Sequence, residues 1–215
     1  DSSHLVAGSV DDSHISGLAA SKLTGVVAPA NLGTGTASSS TFLNGAGAYA
    51  EAGGGKVLQC IAVHKSDTQT ISGTTFTTVL SKAITPAATS SSVLVQVNLN
   101  VQASARYAGV KLYRDSTQLS MGDAASSRAI VSVASGSNDS NGSDGDTLHE
   151  SSITFLDTAI STTSAVTYTV KCGNTYTTGT YGTGSTTYIN RTPTDYDDDY
   201  SHRGASSMIL TEIGA

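Results

Sequence analysis

The sequence has no tryptophan, three prolines, three phenylalanines, two methionines and two cysteines in 215 residues, and only 13% of it is charged. Each scarcity excludes something. Cys60 and Cys172 form neither a CxxC pair nor any close metal spacing, so neither a zinc motif nor a disulfide-dense scaffold is written here. Both fall in windows that read as strands, either as two small buried thiols or as one disulfide joining two strands. Eleven Lys and Arg, thinly spread against seventeen Asp and Glu, give a net charge of −6 and no basic stripe, which argues against a nucleic-acid partner. No stretch approaches the ~18 apolar residues that cross a bilayer, so membrane insertion is not expected. No charged-then-apolar leader opens the chain, and a first residue Asp1 reads as the later part of a longer or processed product.

What the sequence does have is 33 serines, 30 threonines and 22 glycines, with β-branched residues throughout. Low net charge combined with many Val, Ile and Thr argues against classical disorder. The first 56 residues differ from the rest. They are rich in Ala, Gly and Ser, and Asp1-Ser-Ser-His4-Leu5 is echoed ten residues on by Asp11-Asp-Ser-His14-Ile15, with weaker echoes at Ser21-Lys22-Leu23 and Ala30-Asn31-Leu32. Leu5, Ile15, Leu18, Leu23 and Leu32 are too sparse for one chain to bury a core from this segment. Identical chains wound side by side would bury them against their own copies, which predicts a homo-oligomeric stalk over 1–56; a flexible Gly/Ser linker is the plainer alternative. The run Ala46-Gly-Ala-Tyr49-Ala-Glu51-Ala-Gly-Gly-Gly55 reads as a joint, which sets the boundary near Lys56.

Beyond Lys56 the period becomes two. In Val93-Leu-Val95-Gln-Val97-Asn-Leu99-Asn-Val101 every odd position is large and apolar and most even ones are amides, the pattern of a strand covered on one face. Shorter versions at 57–64, 74–80, 110–114, 129–133, 152–156, 166–172, 186–190 and 208–213 bring the total to about nine or ten strands separated by Gly, Ser, Asn and Asp clusters. No window sustains helical spacing. The expected fold is therefore all-β: an antiparallel, jelly-roll-like β-sandwich head over 57–215, preceded by a short, extended, interwoven stalk.

Catalytic motifs are absent. His4 and His14 sit in the repetitive segment, and His64, His149 and His202 are dispersed near acidic residues without a nucleophile elbow, a zinc helix or a phosphate loop. The only glutamates are Glu51, Glu150 and Glu212, and a glycosidase would need two carboxylates facing each other across a groove. The chain is therefore read as a non-enzyme. Three Asn-x-Ser/Thr matches, at Asn138, Asn141 and Asn190, are expected by chance in such a composition.

Two loops invite a ligand. In the first, Asp139, Asn141, Ser143 and Glu150 fit positions of a calcium-loop count, but Asp144 stands where glycine is required, so a solvated hairpin loop is favoured. In the second, Asp195, Asp197, Asp198 and Asp199 crowd together, their repulsion eased by calcium, by Arg191 and Arg203, or by solvent. Calcium would be the one cofactor; none is otherwise expected. Six of the nine tyrosines fall in the last third of the chain, with Tyr176 and Tyr181 in a Gly/Thr-rich loop and Tyr196 and Tyr200 flanking the acidic run. Stiff aromatic rings among small polar residues suit recognition, including the apolar faces of sugars. Tyr176, Tyr181, Tyr196 and Tyr200 with Asp197 and Asp199 are the expected contact region; ordinary strand tyrosines with wet hydroxyls are the alternative.

On these residues a resemblance can be stated. Asp12-Ser-His-Ile15-Ser-Gly-Leu18-Ala-Ala-Ser-Lys22-Leu-Thr-Gly25 resembles the shaft repeats of bacteriophage tail fibres. The remainder resembles a β domain of phage virion proteins, especially phages of marine and freshwater bacteria. Its motifs are Leu112-Tyr-Arg114-Asp115-Ser-Thr117 with Gly122-Asp123, Ile153-Thr-Phe155-Leu156-Asp157, Tyr188-Ile-Asn190-Arg191, and Arg203-Gly-Ala-Ser-Ser207-Met-Ile-Leu-Thr-Glu212-Ile213. The resemblance implies a virion location, contact with other virion proteins and a homotrimer, with structural rather than catalytic motifs. The combined expectation is a trimeric tail fibre or spike whose head adsorbs to host surface polysaccharide. The alternatives are a capsid decoration or purely structural tail component, and a glycan depolymerase.

Overall fold

The structure, a computed structural model, describes residues 28, 32–39, 41–51, 56–104, 107–136, 147–175 and 185–215, with Glu51 described by its backbone only. The chain divides into two compact units, Asp1–Gly54 and Gly55–Ala215.

In the first unit, β1 (Thr41–Leu43) and β2 (Tyr49–Glu51) form an antiparallel hairpin. Asn44 makes the turn: its Oδ1 accepts the amides of Ala46 and Ala48, both at 3.0 Å, and Gly47 takes φ 74°, a left-handed backbone that suits glycine. The stretch read as a joint thus begins with ordered β structure. Of the expected stalk residues, Leu5, Ile15, Leu18 and Leu23 lie outside the described residues, and Leu32 is half exposed in the single chain.

The second unit contains β3 (Val57–Lys65), β4 (Gln69–Ser72), β5 (Thr77–Ile84), β6 (Ser92–Ala103), β7 (Tyr107–Arg114), β8 (Thr117–Leu119), β9 (Val133–Gly136), β10 (Glu150–Asp157), β11 (Val166–Asn174), β12 (Thr186–Ile189) and β13 (Ser206–Ile213). Every ladder is antiparallel, and no helix occurs among the described residues. Along one side of β6, β13 pairs with 92–98 and β12 takes over at 101–103, so the two lie end to end; β3 and β4 follow beside them in the same way. β8 and β9 likewise share one side of β7. With each end-to-end pair counted as one strand, the first sheet runs β3/β4, β12/β13, β6, β10 and the second runs β5, β11, β7, β8/β9. That is the strand order of a jelly roll.

The core follows from the alternation. Val93, Val95, Val97, Leu99 and Val101 are at most 1% exposed and belong to one apolar cluster with Met208, Leu210 and Ile153 of the same sheet and Val110, Leu112, Val170 and Cys172 of the other. Four details depart from the sequence pattern. The strand expected over 74–80 starts only at Thr77, after Gly73 at φ 76°. Of 129–133 only Val133 is strand; Ser132 is instead a plug between β8 and β9, its hydroxyl accepting the Leu112 amide at 3.0 Å and donating to the Leu119 carbonyl at 3.1 Å. β4 and β8 are too short, at 4 and 3 residues, to show a period. Finally, both cysteines are free, and only Cys172 is buried, because Cys60 sits at an outward position of β3.

Candidate functional site

The motifs of the head meet in two places. At one end of the sandwich, Asp157 at the end of β10 crosses the interior to the second sheet. Its oxygens accept two 2.7 Å hydrogen bonds from Arg114 Nη1, one at 2.8 Å from the Tyr168 hydroxyl and one at 3.1 Å from the Ala159 amide. Arg114 and Tyr168 face one another in the β7–β11 register, so the clamp ties three strands from both sheets. Burial, and then the Asp157 carboxylate, push the Tyr168 phenol far above its ordinary range. These groups satisfy one another and leave no free base or nucleophile.

The second place is where β3/β4 and β12/β13 both break. Asn190, wholly buried at φ 61°, donates from Nδ2 to the carbonyls of Lys65 (2.9 Å) and Asp67 (3.0 Å) and accepts the Ser206 hydroxyl at 2.6 Å. Asparagine tolerates the left-handed backbone better than other polar residues, so one side chain pins both interruptions at one level. The loop 190–205 leaves the sheet from this anchor.

Charge braces the base of the loop. Arg191 and Arg203 face each other in an isolated antiparallel bridge, and Asp195 lies between them, 3.0 Å from Arg203 Nη2 and 3.7 Å from Arg191 Nη1. Arg191 also lies over the Tyr188 ring at 4.4 Å and reaches Thr70 Oγ1 at 3.2 Å. Further out, Asp198 Oδ1 accepts the amides of Tyr200 (3.1 Å) and Ser201 (2.8 Å), and the Ser201 hydroxyl accepts the Tyr196 amide at 3.1 Å and donates to the Thr194 carbonyl at 2.8 Å. The outcome is an open concavity of about 500 Å³ lined by Asp195, Tyr196, Asp197, Asp198, Ser201 and Arg203. Tyr196, which lines it, and Tyr200 of the same loop are 70% and 67% exposed.

The expected site residues therefore separate. Tyr196, Tyr200, Asp197 and Asp199 share this loop and are exposed, whereas Tyr176, Tyr181, Asp139, Asn141, Ser143 and Asp144 lie outside the described residues, and Glu150 is the first residue of β10, paired with Asn100 of β6. The carboxylates read as a calcium set do not converge: Asp195 is held by guanidinium groups and Asp198 by backbone amides, and no group of three or more metal-ligating side chains occurs among the described residues. His64 and His202 are exposed, and Glu212 is wholly buried, hydrogen-bonded to Gln59 Nε2 (2.6 Å) and the Ala87 amide (2.7 Å). Burial alone would raise the Glu212 carboxyl, but its hydrogen-bonding surroundings, the Gln59 amide and Ala87 N–H among them, outweigh it and hold the group below its usual range. Sequence reasoning missed the Asp157 clamp and the Asn190 anchor. The only signal was that both lie in the motifs carrying the phage resemblance.

No protein-family model matches the chain, and neither does any curated protein. Among solved structures, the chain is similar to the structure of infectious bursal disease virus Gx strain, with 13% identity and a TM-score of 0.37 over 78% of this chain and 39% of that one.

Proposed function

We propose that the chain is a virion fibre or spike protein whose jelly-roll head adsorbs to host surface glycans through the loop 190–205, by binding rather than cleavage. The carrying observation is the loop itself, where two tyrosines 70% and 67% exposed stand on a base fixed by Asn190 and the Arg191–Asp195–Arg203 bracket. Rigid rings lose little entropy on contact and stack against the apolar faces of sugars, while Asp197 and Asp199 can accept hydrogen bonds from sugar hydroxyls. The motif resemblance supports the virion setting. A homo-oligomer, read as a trimer, is supported by three outward rows of the first sheet, which lie beside the row of Asn100 and exposed Glu150. His64, Ser207, Asn98 and Ser152; Ala62, Ile209, Gln96 and Thr154; and Cys60, Thr211, Leu94 and Leu156 include no Asp, Glu, Lys or Arg, so copies of an acidic chain can meet there without like-charge contact. Weak sites on several heads would then act together.

The test is adsorption of the full-length chain to a panel of intact bacteria, with polysaccharide-stripped cells as control. Binding lost on stripping and in Tyr196→Ala/Tyr200→Ala is expected; equal binding to stripped cells overturns the glycan reading.

A further inference from the structure

The outer face of the second sheet has a different chemistry. Lys171 of β11 and Lys111 of β7 lie directly opposite each other in register, a placement that costs energy for like charges. Each ammonium sits over an aromatic ring, Lys171 4.7 Å from the Tyr113 centroid and Lys111 4.2 Å from that of Phe76. The rings draw them apart. Tyr113 registers with Thr169, while the Phe76 ring lies over Gly109, which registers with Gly173, so the lysines lean in opposite directions along the strands. Gly109 and Tyr113 are four residues apart, on the order of 13 Å along the strand. Among the described residues neither lysine forms an ion pair, whereas Lys65, Arg114, Arg191 and Arg203 each face a carboxylate. Around them the same face presents Thr167, Thr169, Tyr113 and half-exposed Tyr107.

We infer that this Lys111–Lys171 strip is a docking surface for a polysaccharide carrying carboxylate or sulfate groups at intervals. Two cations without protein counter-ions, strung along the strand direction, fit anionic groups spaced along a chain. The adjoining rings and hydroxyls fit sugar faces and hydroxyls. A polyanion would also remove the repulsion that the register imposes. In a chain of net charge −6, attraction of a polyanion has to be local. Nucleic acid fits less well, because it presents a phosphate at every step and only two free cations stand here. This inference does not depend on the loop 190–205.

Dextran sulfate is the probe, titrated into the full-length chain at low salt beside neutral dextran and oligothymidylate. Saturable binding of dextran sulfate alone is expected, weakened at least tenfold in K111Q/K171Q, retained in K111R/K171R, retained in K82Q, and weakened by added salt. Lys82 is the internal control, registered with buried Tyr168 on the inward row of the same sheet. An unchanged melting temperature in K111Q/K171Q ties its loss to the site. No binding by the wild-type chain, equal binding by K111Q/K171Q, or loss of binding in the folded Tyr196→Ala/Tyr200→Ala variant overturns the proposal. Equal affinity for oligothymidylate overturns the assignment to sugar.

Discussion

Asp157 and Asp195 are both aspartates gripped by arginine, and they differ in almost everything else. Asp157 has 3% of its side chain exposed and joins two sheets; Asp195 has 31% exposed and joins two ends of one loop. Asp157 has no acidic neighbour in sequence, while Asp195 heads the most acidic run in the chain. Visibility in sequence and weight in the fold therefore run opposite ways. The isolated carboxylate fastens the sandwich, and the conspicuous cluster belongs to a surface bracket.

The sharpest way to break this comparison is Asp157→Ala. It strands Arg114 and the Tyr168 hydroxyl away from their partner, and loss of one member of a buried pair costs about 3–5 kcal/mol. For a unit of this size that is a drop in Tm of roughly 10 °C by calorimetry. Replacing both charges, as in Arg114→Met with Asp157→Leu, should recover most of the loss, because the penalty arises from the orphaned charge. No recovery would mean that the clamp contributes specific attraction beyond satisfaction.

Asn190→Ala should rank next. It leaves the carbonyls of Lys65 and Asp67 and the Ser206 hydroxyl without their partner, at about 2–3 kcal/mol in denaturant unfolding. The two ends of the pH range then separate the clamp from the rest of the sheet. Tyr168 has a raised folded pKa, so its contribution is whole below the ordinary phenol value of 10.0 and is lost as pH rises above it. Glu212 has a lowered folded pKa, so its contribution is whole above the ordinary value of 4.5 and is lost as pH falls below it. Tm measured against pH should fall at both ends, with Tyr168→Phe flattening the alkaline limb and Glu212→Gln the acid limb. Limbs unchanged in these variants would assign the pH dependence to other groups.

The sandwich was legible because its determinants are local. The alternation through 93–101 states a covered strand, and repeated short copies of it state a sheet protein. Short pieces escaped: β4 and β8 hold fewer residues than a period needs, and of the run 129–132, which looked like strand, Val131 lies beside Gly109 of β7 and Ser132 alone bonds β7 through its amide, to the Val110 carbonyl at 2.8 Å. The clamp escaped for another reason. Arg114 and Asp157 are 43 positions apart, and only closure of the two sheets brings them to 2.7 Å. For the loop, composition showed that Tyr196 and Tyr200 would be prominent. It left calcium, arginine and solvent as rivals for the carboxylates; in the structure Asp195 pairs with Arg203 and Arg191, two residues that sequence alone could not bring to it together.

The smallest effect is the most informative about function. Asp195→Asn removes an ion pair that is partly solvated and salt-screened, so it should change global stability by less than about 1 kcal/mol. Its consequence should appear elsewhere. With the bracket loosened, Arg191 and Arg203 no longer hold the base of the loop, and the loop's tyrosines pay more entropy on contact. Adsorption to intact cells should therefore weaken severalfold at nearly constant Tm, with a faster off-rate as the main change. A large loss of Tm in Asp195→Asn would make the bracket a second fold clamp and erase its contrast with Asp157. Unchanged adsorption would show that the loop needs no rigid base.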